Sequence, residues 1–359
     1  MNSHERFAAA MEHRAADRVP IDYLAHRTAD AKLRAHFGVR TESELLDILG
    51  ADFYYLSCRD ISQNETCLPF YKKPLAMNET ERTCPLGIRW HRGAYDAKFT
   101  VDEAVAGPLA NAETEADILS HAWPTPKDFD FSPFIRECNE NNDRVIIGGL
   151  WTGIMGDSYR TMGFEKFLLY AAMNPGMIKT LINKLTDVYL SINDAIFSQL
   201  KGRMHIWFFG NDFGSQNGLL LSKDMWCDFF FENIKRLTSL AHSYGLSVMM
   251  HSCGAIAEII PLLIDAGVDI LDPIQVTAKG MDAAALKRDF GGRMVFHGGI
   301  DTQEILPRGS VDDVRGHVMS TVKILGALGG YIFAPSQILQ TDVPVGNIEA
   351  MYRAALLSR

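Results

Sequence analysis

The sequence is short of positive charge. Its 359 residues contain 35 Lys and Arg against 44 Asp and Glu, which gives a formal net charge of −9. Proteins that bind nucleic acid use clustered Lys and Arg to contact the phosphates. The composition therefore argues against a nucleic-acid partner.

Long apolar runs are also missing. Residues Met1 to Ala10 are polar and contain no apolar core of signal-peptide length. Elsewhere, charged residues or Gly interrupt the apolar runs well before they reach membrane-spanning length. These absences predict a cytoplasmic protein that has no membrane partner.

Cysteines are few and irregularly spaced, which argues against a disulfide framework in a chain of this length. The six are Cys58, Cys67, Cys84, Cys138, Cys227 and Cys253. We interpret them as free thiols, of which one or two at most take part in chemistry.

From about residue 140 onward, short apolar runs alternate with longer amphipathic segments. The predicted strands in this part are Arg144 to Trp151, Met204 to Gly210, Leu246 to His251, Val268 to Pro273, Arg293 to Gly299 and Tyr331 to Ala334. Such runs are typical of buried parallel strands that are connected by helices. Two further candidates, Val19 to Leu24 and Ala51 to Ser57, bring the number to eight.

Eight strands with helical connections predict an α/β fold, a (β/α)₈ TIM barrel. Helical patterns cover Thr28 to Leu49, Ser222 to Tyr244 and Gly254 to Ala266. The segment from about Cys67 to Phe99 has a turn-rich, alternating pattern that predicts a small β insertion covering one end of the barrel. No repeat or linker marks a second domain, so we expect residues 1–359 to form a single domain with an N-terminal extension.

Polar residues that follow the strands are the candidates for chemistry, because active sites of such barrels lie at the C-terminal ends of the strands. In chain order they are Trp151, Asn211, Asp212, His251, Cys253, Asp272, Gln275, His297, Asp301, Ser336 and Gln337.

The most specific motif among them is His251-Ser252-Cys253-Gly254. Residues i and i+2 of a strand lie on the same side, and imidazole and thiolate are ligands that zinc accepts. The alternative is a buried thiol that packs beside a hydrogen-bonded histidine, which is common for free Cys.

Two carboxylates allow two interpretations each. Asp212 could transfer protons, bind a metal or bind a donor group of a substrate, or it could form an Asx turn in its Gly-rich loop. Asp301 has the same alternatives, because Asp301 to Glu304 also resembles a capping box at a helix start. His297, on an apolar strand, ranks below His251 as a functional candidate.

These motifs together resemble the uroporphyrinogen decarboxylase superfamily. The resemblance rests on Asn-Asp-Phe-Gly-Ser-Gln-Asn-Gly from residue 211, His-Ser-Cys-Gly from 251, Asp-Pro-Ile-Gln from 272, Phe-His-Gly-Gly-Ile-Asp from 296 and Ala-Pro-Ser-Gln from 334. The opening from Ala9 to Arg18, followed by Val-Pro-Ile, is also similar. The resemblance covers nearly the whole chain and implies the barrel fold.

The resemblance also implies a choice between two activities. True decarboxylases of the superfamily use an arginine-rich N-terminal segment, whereas the corresponding stretch here contains only Arg27. Corrinoid-dependent methyltransferases hold zinc with His-x-Cys and a later Cys. His251 and Cys253 match the first two ligands, but Gln337 stands where the third is expected, and Asp212, Asp301, Gln337 or the substrate would have to complete the site.

We therefore expect a methyltransferase that moves a methyl group between a small methylated substrate, such as a methoxylated compound, and a corrinoid carried by a partner protein. Metal ligands would be His251 and Cys253, and the catalytic acids would be Asp212 and Asp301. The predicted substrate-binding residues are Trp151, Asn211, Gln275, His297 and Gln337. The alternatives are a metal-free decarboxylase and a binding module that has lost its chemistry.

Overall fold

Short buried strands form the centre of the protein. The computed structural model describes residues 1–57, 70–96 and 99–358. The strands are β1 (Phe53–Tyr55), β2 (Glu81–Thr83), β3 (Arg89–Asp96), β4 (Phe99–Ala106), β5 (Val145–Gly148), β6 (Ile206–Gly210), β7 (Ser247–His251), β8 (Ile270–Ile274), β9 (Val295–Ile300) and β10 (Tyr331–Pro335). β1 and β5 to β10 pair in chain order as one parallel sheet.

Helices connect these strands and cover the outside of the sheet. The α-helices within the described ranges are α1 (Ser3–Met11), α2 (Arg27–Phe37), α3 (Glu42–Leu49), α4 (Glu115–Ser120), α5 (Ser132–Glu140), α6 (Ile154–Met162), α7 (Phe164–Met173), α8 (Pro175–Gln199), α9 (Lys223–Trp226), α10 (Glu232–Ser243), α11 (Ile260–Asp265), α12 (Ala283–Phe290), α13 (Ile305–Arg308), α14 (Val311–Leu325) and α15 (Val345–Leu357). A π-helical turn, Cys227–Phe231, joins α9 to α10, and 3₁₀ turns cover Pro126–Asp128 and Ala257–Ile259.

An eighth extended segment closes the sheet into a barrel. Phe333 of β10 donates its N–H to the carbonyl of Pro20 (2.8 Å), and Asp22 donates its N–H to the carbonyl of Phe333 (2.9 Å). On the other side, Asp52 donates its N–H to the carbonyl of Ile21 (2.8 Å). The predicted (β/α)₈ barrel is therefore confirmed.

The first of the eight predicted strands is less regular than expected. Val19 to Leu24 makes an isolated parallel bridge at Ile21, and Ala25 makes another, instead of a continuous ladder. Pro20 has no N–H to donate. The N–H of Ile21 is bonded to the Asp52 carboxylate at 2.8 Å rather than to a neighbouring strand.

Alternation along the strands separates the inside of the barrel from the layer under the helices. On β6, Ile206 and Phe208 belong to a cluster that also contains Val145, Met249 and Val295 of other strands. The intervening Trp207 and Phe209 belong to the larger core against the helices. This period-2 pattern directs Phe208 into the barrel interior, near the C-terminal ends of the strands.

The helical predictions hold with local changes. The pattern from Thr28 to Leu49 forms two helices, because Gly38 adopts a left-handed conformation (φ 69°) that ends α2. Between Gly254 and Ala266 the chain forms a 3₁₀ turn and then the short α11.

The predicted β insertion is a three-stranded antiparallel sheet, in the order β2-β3-β4. It extends beyond the predicted limit at Phe99, and Cys67 lies outside the described residues. Trp90 of β3 lies beneath the guanidinium of Arg160 on α6, 5.5 Å from ring centroid to Cζ. Across the described ranges, none of the helices is both long and apolar enough to span a membrane.

Candidate metal centre and substrate cavity

A cavity of about 470 Å³ lies at the C-terminal ends of the barrel strands. Its walls include five of the residues predicted from strand ends, and these are Trp151, His251, Asp272, His297 and Gln337. Leu24, Pro273, Ala334 and Ile338 add apolar surface. The position and the mixed lining are those expected of a substrate site in this type of barrel.

Glycine at position 210 allows the aromatic wall to form. Trp151 lies against His251, with ring centroids 5.5 Å apart. A Cβ atom at Gly210 would lie 2.4 Å from the Trp151 ring and 2.6 Å from the Cβ of His251. Any larger residue there would displace Trp151 from its position over the histidine.

Three potential metal ligands converge beside the cavity. The ligand atoms of Asp212, His251 and Cys253 all lie within 4.8 Å of one another. His251 Nε2 is 3.3 Å from Cys253 Sγ and 3.4 Å from Asp212 Oδ1. The N–H of Cys253 donates to Asp212 Oδ1 at 3.0 Å, which fixes the two loops relative to each other.

Gln337 lies beside this cluster as a hydrogen-bond donor. Its Nε2 is 3.3 Å from Cys253 Sγ. An amide N–H at this distance stabilises a thiolate without ligating a metal. Gln337 can therefore lie next to the sulfur while Asp212, His251 and Cys253 supply the three metal ligands.

A chain of buried charged groups holds the other side of His251. Its Nδ1 bonds Asp272 Oδ2 at 2.6 Å, and Asp272 Oδ1 bonds His297 Nδ1 at 2.5 Å. His297 Nε2 in turn bonds Asp22 Oδ2 at 2.9 Å. Tyr55 donates its hydroxyl to the same Asp22 oxygen at 2.6 Å. Because Asp272 occupies Nδ1, His251 directs Nε2 towards Cys253 and Asp212, as metal-binding histidines commonly do.

The charges of these groups follow from their partners. Partial desolvation raises the pKa of Asp212, but the hydrogen bond and charge of His251 and the Cys253 N–H outweigh it and lower the pKa to about 2. Burial lowers the pKa of His297, but Asp272 and Asp22 outweigh burial and raise it to about 9. Burial raises the pKa of Asp272, but the charges and hydrogen bonds of His297 and His251 outweigh burial and lower the pKa. At neutral pH both carboxylates are ionised and His297 is a cation.

The raised pKa of His297 predicts a pH-dependent stability. The stabilisation is complete below the ordinary histidine pKa of 6.5 and is lost as pH rises through about 9. We expect a loss of about 3 kcal/mol of unfolding free energy over this range. Denaturant titrations at several pH values would measure it as the difference between wild type and His297→Gln. A difference that stays constant from pH 6 to pH 10 would contradict the assignment.

Two of the predicted substrate-binding residues lie outside the cavity lining. Asn211 is buried, where its side chain accepts the N–H of Met155 (2.7 Å) and donates to the carbonyl of Thr152 (3.3 Å). Gln275 accepts the N–H of Gly254 at 2.9 Å and donates to Gln216. Both side chains hold neighbouring loops, so the substrate-binding role predicted for them is not what their contacts support.

Asp301 is a helix-start residue rather than a cavity residue. Its carboxylate accepts the N–H groups of Gln303 (2.8 Å) and Ile305 (3.3 Å), as in the capping alternative. In this described segment the Glu304 carboxylate pairs with Arg308 at 2.8 Å instead of making the reciprocal bond of the predicted capping box. Asp301 is consequently removed from the candidate catalytic acids.

Four polar cavity residues were given no role from the sequence. Asp22 and Tyr55 lie in the first two extended segments, Asp272 lies within β8, and Arg160 is on α6. Asp272 carried a usable signal, since it was already one of the candidates near the strand ends. Asp22, as an acidic residue between apolar neighbours in a predicted strand, was a weaker signal of the same kind.

The fold and the site together define a parallel barrel with a candidate metal centre at the mouth of a substrate cavity. The family model described as uroporphyrinogen decarboxylase matches residues 134–356. The chain therefore belongs to the uroporphyrinogen decarboxylase family, as the sequence motifs predicted.

Structural similarity extends over the whole barrel. A methyltransferase from Methanosarcina mazei is similar with a TM-score of 0.71 at 16% identity, covering 99% of this chain and 98% of that one. Xylanase 10B from Thermotoga maritima gives a TM-score of 0.38 at 12% identity, covering 65% of this chain and 82% of that one. A search of the curated proteins gives no match. The first similarity supports the barrel fold.

Proposed function

We propose that the protein is a methyltransferase that moves a methyl group between a small methylated substrate and a corrinoid carried by a partner protein. The observation that carries this proposal is the convergence of Asp212, His251 and Cys253 at one edge of the cavity. The full-length similarity to a methyltransferase is in line with it. The main core cluster extends from Ile21 to Ala355, and we propose that residues 1–359 form one domain.

The three ligand atoms fit zinc by type and by arrangement. One nitrogen, one sulfur and one carboxylate oxygen are ligands that catalytic zinc accepts, and three protein ligands leave one position for a substrate atom. The Asp272 carboxylate behind His251 supplies the usual support for a metal-bound imidazole. Zinc at this site would act as a Lewis acid that makes the heteroatom of the leaving group less basic.

The protonation state of Asp212 favours this route over acid catalysis. With a pKa of about 2, Asp212 is ionised at neutral pH and cannot donate a proton to a leaving group. Asp301 uses its carboxylate to bind backbone N–H groups. Asp212 is therefore assigned as a ligand, not as the acid.

The remaining residues bind and orient the donor. Trp151 and Phe208 form an apolar wall, and the Asp272 carboxylate fixes the orientation of His251. A reduced corrinoid on the partner would supply the electron pair for the new bond to the methyl carbon, and the pair from the broken bond stays on the donor heteroatom. The protein contributes orientation and charge to this displacement.

A porphyrinogen with several carboxylates fits this cavity poorly. Of the described residues that line it, Arg160 is the sole Lys or Arg, and its guanidinium pairs with the buried Asp157 at 3.3 Å. Both ring nitrogens of His297 are bonded to Asp22 and Asp272, so His297 has no N–H left for a ligand carboxylate. The decarboxylase alternative is thus restricted to small substrates without several acidic groups.

Zinc content tests the proposal directly. We expect about one zinc per chain in anaerobically purified wild type and little in His251→Ala, because the imidazole supplies one of three ligands. Elemental analysis of both proteins measures this. His242→Ala is the control, because it removes a surface histidine paired with Asp269 and leaves the site intact.

Absence of zinc from wild type and from both variants would overturn the metal-assisted mechanism. The metal-free decarboxylase would then become the leading candidate. Equal zinc in wild type and His251→Ala would place the metal elsewhere in the protein.

A further inference from the structure

The three proposed metal ligands come from two neighbouring strand ends. Asp212 follows β6, whereas His251 ends β7 and Cys253 follows it. A carboxylate that shares a metal ion with an imidazole and a sulfur must be held at a fixed distance from both. The side chain of Asp212 is 59% exposed, so burial does not hold it there. Its position therefore depends on how the two loops are joined.

Hydrogen bonds fix the chain on both sides of Asp212. Asn211 donates its N–H to the carbonyl of His251 at 2.9 Å. Phe213 donates its N–H to the hydroxyl of Ser252 at 3.1 Å, and this N–H belongs to the peptide group that joins Asp212 to Phe213. The second of these contacts has a side chain as its acceptor. A substitution of Ser252 can therefore remove it without changing a proposed ligand.

Both partners of this hydrogen bond are firmly held. Ser252 is 0% exposed, and its N–H donates to the carbonyl of Asp272 on β8 at 2.7 Å. Phe213 is also buried, and its ring packs against Trp226 at 5.5 Å and Phe230 at 5.0 Å between ring centroids. A buried N–H needs an acceptor from the protein. Loss of the Ser252 hydroxyl would therefore force this peptide group to move.

The backbones of the two loops are in direct contact beyond this hydrogen bond. Ala255 donates its N–H to the carbonyl of Ser215 at 2.8 Å. A Cβ atom at Gly214 would lie 2.9 Å from both the nitrogen of Ala255 and the carbonyl oxygen of Cys253. Glycine at this position thus allows the close approach, and any side chain there would push the loops apart.

We propose that Ser252 is a positioning residue whose hydroxyl holds Asp212 next to the other two metal ligands. This inference rests on the proposed function, because it concerns the metal centre assigned there. Ser252 touches neither metal nor substrate in this role. It fixes the peptide group after Asp212, and the N–H of Cys253 then orients the carboxylate itself at 3.0 Å.

Zinc affinity measures the positioning role. Competition with a chromophoric chelator gives the zinc dissociation constants of wild type and Ser252→Ala. We expect about tenfold weaker binding in the variant, since groups that orient a metal ligand contribute about 10- to 100-fold to affinity.

Ser158→Ala is the matched control for this measurement. Ser158 is also 0% exposed, and its hydroxyl bonds a backbone group, the carbonyl of Ile154. It lies within α6 and forms no part of the two loops. We expect this variant to bind zinc as tightly as wild type does.

A double-variant cycle separates positioning from a general structural role. In the Asp212→Ala background, Ser252→Ala is expected to cause no further loss of affinity, because the carboxylate that Ser252 positions is already missing. A hydroxyl that supports only the fold would cause the same loss, about tenfold, in both backgrounds. If Ser252→Ala does not fold, Gly214→Ala takes its place in the cycle, since its methyl group separates the same loops.

Amide hydrogen exchange tests the same contact in the metal-free protein. The N–H of Cys253 is bonded to Asp212 and loses this acceptor when the carboxylate moves. We expect the Cys253 amide to exchange about tenfold faster in Ser252→Ala than in wild type. Ser158→Ala is expected to keep the wild-type rate. Nuclear magnetic resonance of the whole protein measures these rates.

Equal zinc affinity of wild type and Ser252→Ala would overturn the inference, as would equal losses in the two backgrounds or an unchanged exchange rate of the Cys253 amide. One zinc per chain with additive losses would contradict the positioning role alone. A wild type without zinc would contradict the metal-assisted mechanism, and faster exchange at Cys253 in Ser252→Ala would then still support the placement of Asp212 by Ser252.

Discussion

Replacing Cys253 with alanine is expected to remove the bound zinc and to reduce methyl transfer at least about a hundredfold. Changes to groups that only support a metal ligand already cost about 10- to 100-fold in affinity or activity, and Cys253 is itself a proposed ligand. Its sulfur also receives the Gln337 amide. Elemental analysis and the initial rate of transfer from a methylated donor to a cobalt(I) corrinoid measure the two effects.

Cys227→Ala is the matched control for this experiment. Cys227 is also a free, half-buried thiol, but it lies on the π-helical turn and outside the metal cluster. We expect wild-type zinc content and rate in this variant, with the fold of both variants checked by circular dichroism. An unchanged rate in Cys253→Ala would remove this residue from the mechanism.

Replacing Asp272 with alanine is expected to cost about 3–5 kcal/mol of unfolding free energy. Its carboxylate bonds His251 at 2.6 Å and His297 at 2.5 Å, and both histidines are shielded from water. Removal leaves a buried imidazolium at His297 with half of its compensating charge. Urea denaturation at pH 7 measures the loss.

The surface pair of Asp228 and Lys179 provides the comparison. These side chains are 53% and 43% exposed, and the loss in Asp228→Ala is expected to stay within about 1 kcal/mol. Losses of similar size in the two variants would show that the Asp272 network contributes no more than an exposed ion pair does.

The sequence predicted the barrel because its strands are continuous apolar runs with helices between them. β5 to β10 lie within or overlap the six predicted runs after residue 140. The first predicted strand differs from a regular strand because the Asp52 side chain, 31 positions away, accepts the N–H of Ile21. The periodicity of a short segment cannot predict side-chain contacts between residues that are far apart in the sequence.

The rule that active-site residues follow the strands was useful but not selective. It located five residues that line the cavity, namely Trp151, His251, Asp272, His297 and Gln337. It also selected Asn211, whose amide binds backbone groups of the next loop. Polar residues at strand ends serve both purposes, and a strand-end position alone does not distinguish them.

The rule also missed residues whose role depends on distant partners. Asp22 and Tyr55 lie in apolar segments near the N-terminus, and Asp22 meets His297 only across 275 positions of the chain. Arg160 is on a helix and reaches the cavity from the side. Nothing in the local sequence indicates which of these side chains the barrel brings together.

The closure of the barrel has a consequence for how the site is assembled. Asp22 lies on the segment that bridges β10 and β1, whereas Asp272 and His297 belong to β8 and β9. The chain of charged groups from Asp22 through His297 to Asp272 is therefore completed only when the first extended segment joins strands that come late in the sequence. A molecule whose amino-terminal segment has not yet docked would carry His297 and Asp272 without Asp22, so the support behind His251 is complete only in the closed barrel.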